Sequence, residues 1–330
     1  MYESFYGLSN KPFQLNPDPN FYFGSKQHSR AKAYLEYGVS RHEGFVVITG
    51  EIGSGKTMTL RALIDGLHGS DVVIGHLVTT QLDAEDTLRM VGAAFGFKVK
   101  DVAKSELLVT LEAFLLSQTS QGKRCLLIVD EAQNLTPRAV EELRMLSNFQ
   151  FESHALLQSF LVGQPEFRAI LLDRQMEQLR QRVIAACHIG PLSVNETQEY
   201  IQHRLKCAGS TGDPQFENAA YAAIHRATAG IPRRINGVCD RLLLAGVLAD
   251  KKIFTKADVD DVAAEINDSG FMAGDSATTD ASSSPALSAP RAFAEDFSAI
   301  DFGELSLDAS VAAETDRMLN DMGKRRVVDR

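Results

Sequence analysis

Cysteine is scarce in this chain. Cys125, Cys187, Cys207 and Cys239 are its only four in 330 residues and form no C-x-x-C pair, so neither a zinc cluster nor a disulfide framework is expected. No apolar run approaches the roughly eighteen residues that a bilayer span needs. The opening Met1-Tyr2-Glu3-Ser4-Phe5 lacks the charged and apolar regions of a secretory leader. These absences predict a cytoplasmic protein without a membrane span. Positive charge is short as well: 34 Lys and Arg against 43 Asp and Glu leave a net charge of −9. Twelve acidic and six basic residues fall between 268 and 330, so the preceding 267 residues carry only −3. A nonspecific nucleic-acid binder usually shows a basic face, so nucleic acid is not the expected partner, although a local patch remains open.

What the chain does have is a phosphate cradle. The strand-like run Phe45-Val46-Val47-Ile48-Thr49 leads into Gly50-Glu51-Ile52-Gly53-Ser54-Gly55-Lys56-Thr57, and Met58 continues a helix-like run to Leu67. Glycines let such a loop turn its N–H groups inward around a di- or triphosphate. Lys56 then reaches the β/γ oxygens, and the Thr57 hydroxyl is placed to ligate Mg²⁺. Residues 50–58 are therefore the candidate cofactor-binding set. A second signal points to hydrolysis. Cys125-Leu126-Leu127-Ile128-Val129 is apolar throughout, as a strand buried on both faces should be, and ends in Asp130-Glu131. In this pattern Asp130 joins Thr57 as a candidate metal ligand, and Glu131 orients or deprotonates the attacking water.

Residues 45–192 alternate strands and helices, which predicts an α/β core with a five-stranded parallel sheet between helices. The strands expected are 45–49, 72–79, 125–129, 157–162 and 184–189. The helices are 56–67, 84–95, 105–118, 137–149 and 166–172, with Pro137 and Pro165 at first-turn positions. From 193 to 267 only helical spacing recurs, at 196–206, 216–228, 233–248 and 256–266. Capping boxes are expected at Ser193 to Glu196 and at Thr255 to Asp258. Residues 268–330 read as an acidic, mostly disordered tail with Phe293, Phe297, Ile300, Phe302, Leu305 and Leu307 set among acids. No stretch is read as the Asn/Thr-Lys-x-Asp element that recognises guanine, so adenine is the expected base.

A triphosphatase core followed at once by a helical lid resembles the AAA+ ATPases, from about Tyr34 to Asn267. That resemblance implies ATP and Mg²⁺ as ligands and gives roles to three polar residues. Gln164 corresponds to sensor 1, near the γ-phosphate or attacking water. Arg233 corresponds to the sensor 2 arginine of the lid, with Arg234 as its neighbouring candidate. Arg182, with Arg180 as competitor, corresponds to the finger that enters the next subunit's site, which implies a homo-oligomer, usually a ring.

The first 44 residues, expected as a strap and the first helix of the ATPase module, carry a narrower likeness. Phe5-Tyr6-Gly7-Leu8, Lys11-Pro12-Phe13, Asn16-Pro17-Asp18-Pro19 and Phe21-Tyr22-Phe23, with His28 and Tyr34-Leu35, look like the opening of the general secretion pathway protein A ATPases. The stretch 1–262, with Asp130 to Thr136 and Leu161 to Phe167, is similar to the ATPase associated with exosortase and PEP-CTERM protein sorting. Physically, the aromatic and proline cluster is a packed strap across the core. The secretion relatives commonly continue into a membrane helix and a peptidoglycan-binding domain, where this chain has its acidic segment. The likeness therefore implies a cytoplasmic ATPase serving envelope export, including exopolysaccharide export. A DNA-linked ATPase of the transposition-helper or initiator type is the alternative, and a small-molecule kinase the third class.

Overall fold

The computed structural model describes residues 2–268 except 68, 79–82, 101 and 153; beyond Asp268, the expected tail lies outside the described residues. The chain opens with α1 (Tyr2–Tyr6) and an irregular strap. It continues through α2 (Lys26–Arg41), β1 (Phe45–Gly50), α3 (Lys56–Leu67), β2 (Val72–Val78), α4 (Ala84–Ala94), α5 (Lys104–Ser120), β3 (Arg124–Asp130) and α6 (Pro137–Leu146). A hairpin of β4 (Gln150–Phe151) and β5 (His154–Ala155) precedes β6 (Leu157–Gly163), α7 (Glu166–Leu172), α8 (Glu177–Arg180) and β7 (Val183–Ile189). Then come α9 (Val194–Cys207), β8 (Gln215–Phe216), α10 (Asn218–Thr228), α11 (Pro232–Leu248), β9 (Ile253–Phe254) and α12 (Lys256–Asp268).

β1, β2, β3, β6 and β7 form one parallel sheet in the order β2-β3-β6-β1-β7, so the five expected strands are all present. The middles of β1 and β3, residues 46–48 and 126–129, are apolar because helices cover both faces. Alternation assigns the side chains to those faces. Phe45 and Val47 of β1, with Cys125, Leu127 and Val129 of β3, join the helices α4 to α7 in one cluster. Val46 and Ile48, with Leu126 and Ile128, join α2 and α3 in the other. The approach of α2 is close: a Cβ at Gly38 would collide with Val46.

Two local differences from expectation have plain causes. The helix expected over 137–149 stops at Leu146, where the Ser147 hydroxyl bonds the Arg144 carbonyl at 2.6 Å and competes with the helical ladder. The chain then turns into the β4–β5 hairpin. Pro165 lies at the cap of α7, one residue outside its first turn; Pro137 does open α6 at N1 or N2, after the Thr136 cap.

The helices after β7 form a second unit with its own core, and the strap belongs to it. Tyr2, Tyr6, Leu8, Phe13 and Phe21 are buried in one cluster with Ile201, Ile224, Leu242 and Val259. A strap running across the sheet's core was expected; its aromatic residues instead complete the lid. Polar contacts hold the same seam. The buried Arg204 guanidinium donates to the carbonyls of Pro12 and Gln14 and lies 4.9 Å over the Phe21 ring. Ser193 and Glu196 make the expected capping box. At α12 the Asp258 carboxylate accepts from the Thr255 N–H at 2.7 Å and hydroxyl at 2.8 Å.

Candidate active site

The cradle loop leaves β1 at the C-terminal edge of the sheet and enters α3 at Lys56, so the helix N-terminus points its free N–H groups into the loop. Gly53 and Gly55 have φ of +78° and +102°, a region closed to most side chains. Both are also crowded. A Cβ on Gly53 would strike Arg233, and one on Gly55 would come within 2.5 Å of His28 Nε2. Ser54 and Lys56 are buried, whereas Glu51 and Ile52 form the exposed rim and Met58 is half-buried in the first turn of α3.

Lys56 Nζ donates to the carbonyls of Gly50 at 2.7 Å and Glu51 at 3.0 Å. Burial lowers its pKa, opposed by the nearby carboxylates of Glu131, Asp130, Glu51 and Glu166. Asp130, at the end of β3, is pushed upward by burial. Its Oδ2 accepts from the Thr57 hydroxyl at 3.4 Å, and its Oδ1 from the Glu131 N–H at 2.9 Å. Two hard oxygen donors at this spacing suit Mg²⁺, which keeps most of its waters and takes its remaining ligands from phosphate.

Glu131 follows in left-handed backbone, φ 56° and ψ 40°. Its Oε2 accepts from Gln133 Nε2 at 2.6 Å and from Gln164 Nε2 at 3.3 Å. Gln164, just past β6, therefore stands beside the carboxylate. From the lid, the Arg233 N–H donates to the Gly53 carbonyl at 3.2 Å, while its side chain is exposed. The fold thus brings together residues 50–58, Asp130, Glu131, Gln164 and Arg233.

Arg182 is elsewhere. It immediately precedes β7, its carbonyl accepts from the Phe45 N–H at the start of β1, and its guanidinium donates to Ser147 Oγ at 2.7 Å. The length of β1, about 17–20 Å at 3.3 Å per residue, separates it from the cradle of its own chain. Arg180 is tied to the carbonyls of Leu171 and Asp173.

Two contributors had no role assigned from sequence. Gln133 sits two residues beyond Glu131 in a 3₁₀ turn, and only its position beside the acidic pair could have drawn attention to it. His28 is buried against the cradle, its Nε2 2.8 Å from the Ser54 carbonyl and its Nδ1 2.6 Å from Ser25 Oγ. No spacing rule connects a residue in α2 with the loop after β1. Thr255-Lys256-Ala257-Asp258 has the letters of a guanine-reading element, contrary to the expectation that none exists. Its carboxylate is taken up by the α12 cap and by Lys251 at 2.6 Å, so it has the role of a lid cap.

Comparison with known proteins agrees with this geometry. Residues 39–171 match the AAA domain family. Over 268 residues the chain is 36% identical to the general secretion pathway protein A of Aeromonas hydrophila, covering 81% of this chain and 49% of that protein. The chain thus spans about half the length of that relative. Among solved structures, Cdc6p from Pyrobaculum aerophilum superposes with a TM-score of 0.60 at 15% identity, over 80% of this chain and 71% of that one. The ORC2 protein of Aeropyrum pernix gives 0.58 at 14%, over 78% and 72%. Residues 39–171 are thus similar to the AAA domain family, and the chain has the AAA+ P-loop nucleoside-triphosphatase fold, a five-stranded parallel sheet flanked by helices.

Proposed function

We propose that the chain binds ATP with Mg²⁺ in the 50–58 cradle and hydrolyses it, with Glu131 taking the proton of the attacking water. One observation carries the reading: Glu131 is fixed by side-chain amides beside the Thr57–Asp130 oxygen pair. Lys56 and the loop N–H groups hold the β/γ-phosphates, Gln164 touches the attacking water or γ-phosphate, and Arg233 carries the nucleotide state to the lid. Thr57 and Asp130 would hold Mg²⁺, which would supply positive charge against the charge developing on the phosphate oxygens.

The comparison of Lys56→Ala with Glu131→Gln tests the assignment. The first should lose ATP affinity, and the second should keep it while phosphate release falls about 1,000-fold or more. Equal loss of binding in both variants removes the assignment.

Arg182 lies too far from its own cradle to act there, which supports a finger supplied in trans within a homo-oligomer. Arg182→Ala should then abolish turnover, spare ATP binding and be partly rescued by mixing with Lys56→Ala protein. Full activity of Arg182→Ala alone would remove this element.

For the biological load, the likeness to a general secretion pathway protein supports a cytoplasmic ATPase that energises or regulates an envelope export system. The exosortase and PEP-CTERM branch, with exopolysaccharide export, is its finer form. No helix among the described residues is long and apolar enough to cross a membrane; contact with the envelope through partners is part of the proposal. Behind the DNA-linked alternative stand the fold likeness to Cdc6p and ORC2 and 27% identity, over 50% of this chain and 40% of that protein, to an uncharacterized HTH-type transcriptional regulator of Methanocaldococcus jannaschii. Purifying the Glu131→Gln protein from its host in ATP and identifying what co-elutes tests the export reading; replication or transposition factors there would overturn it.

A further inference from the structure

We infer that Gln133 is the positioning residue of Glu131, fixing the direction in which its carboxylate meets the attacking water and tying that direction to the end of β6. The inference rests on the reading of Glu131 given above. Gln133 uses both ends of its amide. Nε2 donates to Glu131 Oε2 at 2.6 Å, and Oε1 accepts from the Gln164 N–H at 2.9 Å. Of the two amide donors to this oxygen, Gln133 is the closer, since Gln164 Nε2 stands at 3.3 Å.

The surroundings are shaped for this reach. Left-handed backbone at Glu131 disfavours a residue with a Cβ and has to be held by its neighbours. The side chain of Gln133 then crosses to β6 beside Gly163. A Cβ there would stand 3.1 Å from Gln133 Oε1, 3.3 Å from its backbone nitrogen and 3.2 Å from Phe167 Cβ. Glycine at 163 leaves the crossing open.

The chemistry of the link is selective. A carboxylate at 133 has no N–H to give Glu131, an ammonium cannot accept from Gln164, and asparagine is one methylene too short to span both partners. The consequence is a coupling: a shift of the β6 end, where Gln164 lies, moves the Glu131 carboxylate through one side chain. Gln133 itself acts through Glu131 and need not touch the nucleotide.

The test uses the full chain with Gln133→Ala, Gln133→Asn, Glu131→Gln and the Gln133→Ala/Glu131→Gln double variant. Turnover is followed by radiolabelled phosphate release at saturating ATP–Mg, alongside ATP affinity and melting temperature. Both Gln133 variants should lose on the order of 100-fold in kcat, with ATP affinity within about twofold of wild type, since binding groups stay in place. The double variant should be no slower than Glu131→Gln. A Gln133→Ala protein as fast as wild type overturns the inference. So does a double variant slowed further by the factor that Gln133→Ala imposes alone, because the residue would then act independently of Glu131. If neither Gln133 variant folds, the role is structural and the inference falls. Wild-type turnover in Glu131→Gln would instead sink the reading of Glu131, so the two failures are read from different proteins.

Discussion

The sheet unit and the lid unit are assembled in opposite ways. The sheet, with its covering helices, is one continuous run from α2 to β7, whereas the lid draws its core from the segments on both sides of that run. The Tyr6 hydroxyl donates to the Leu243 carbonyl across 237 residues, and Tyr2 to Asp240 across 238. The chain therefore passes between the units twice, before α2 and after β7. The passages are bonded to each other: Gln27 accepts from the Gly190 N–H, and the Lys26 N–H donates to Glu196. The cradle lies at this seam, with His28 below it and Arg233 above. In the proposed reading nucleotide chemistry is carried by the sheet unit, and the Arg233–Gly53 contact is a route by which the lid would sense it.

The widest separation of the two units should come from Phe13→Ala. This side chain is 1% exposed, inside the lid cluster, and contributes nothing to the sheet's clusters. Truncating a buried phenylalanine costs about 3–5 kcal/mol through lost burial and the cavity left behind. Hydrogen exchange should show that loss in α9 to α12, with strands β1, β3 and β6 near wild-type protection. Equal loss in both would mean that the units unfold as one block.

Arg204→Ala should have the next largest effect. Its guanidinium holds the Pro12 and Gln14 carbonyls and the Tyr200 hydroxyl inside the lid. Its bonds to Tyr200 and Gln14 are long, at 3.2 and 3.3 Å, so the loss is set mainly by the short bond to Pro12, about 1.5–3 kcal/mol for one charge-assisted bond. Protection in α1 and α11 should fall together while ATP affinity changes little. Weakened ATP binding of the same size would place the strap in control of the cradle and sharpen the account of the seam.

The same contrast governs what could be read from the residues. Apolar runs with turn signals between them revealed all five strands of the sheet, and the spacing of glycines, Lys56 and Thr57 revealed the cradle. These are local patterns, visible in a window of a dozen residues. The strap has no period of two or of 3.6, so nothing local indicated which core its aromatic residues would enter. His28 and Gln133 were obscure for the same reason. Each owes its position to a contact between elements distant in sequence, His28 with the loop after β1 and Gln133 with the end of β6. Short pieces such as β4–β5 and β8–β9 have two residues per strand, too few for alternation to register.

The smallest expected effect is a pH dependence at the seam, and its sign follows from His28. The ring is buried between Ser25 and the Ser54 carbonyl, and burial pulls its pKa below the ordinary value of 6.5, opposed by its bond to the Ser54 carbonyl and by the Glu196 carboxylate. A neutral ring protonated at Nε2 donates to Ser54 and accepts the Ser25 hydroxyl, which satisfies both nitrogens. Below pH 6.5 the unfolded chain binds a proton that the folded one resists, so stability falls as pH drops toward the depressed pKa. It is fully present above 6.5. One proton contributes at most about 1.4 kcal/mol per pH unit over that window. His42, His188, His203 and His225 are also lowered by burial, so the slope of the wild type is a sum. His28→Asn removes one share of it, and denaturant melts at pH 7 and pH 5 should differ less than in wild type. An unchanged slope would mean that His28 holds the cradle equally well with either charge.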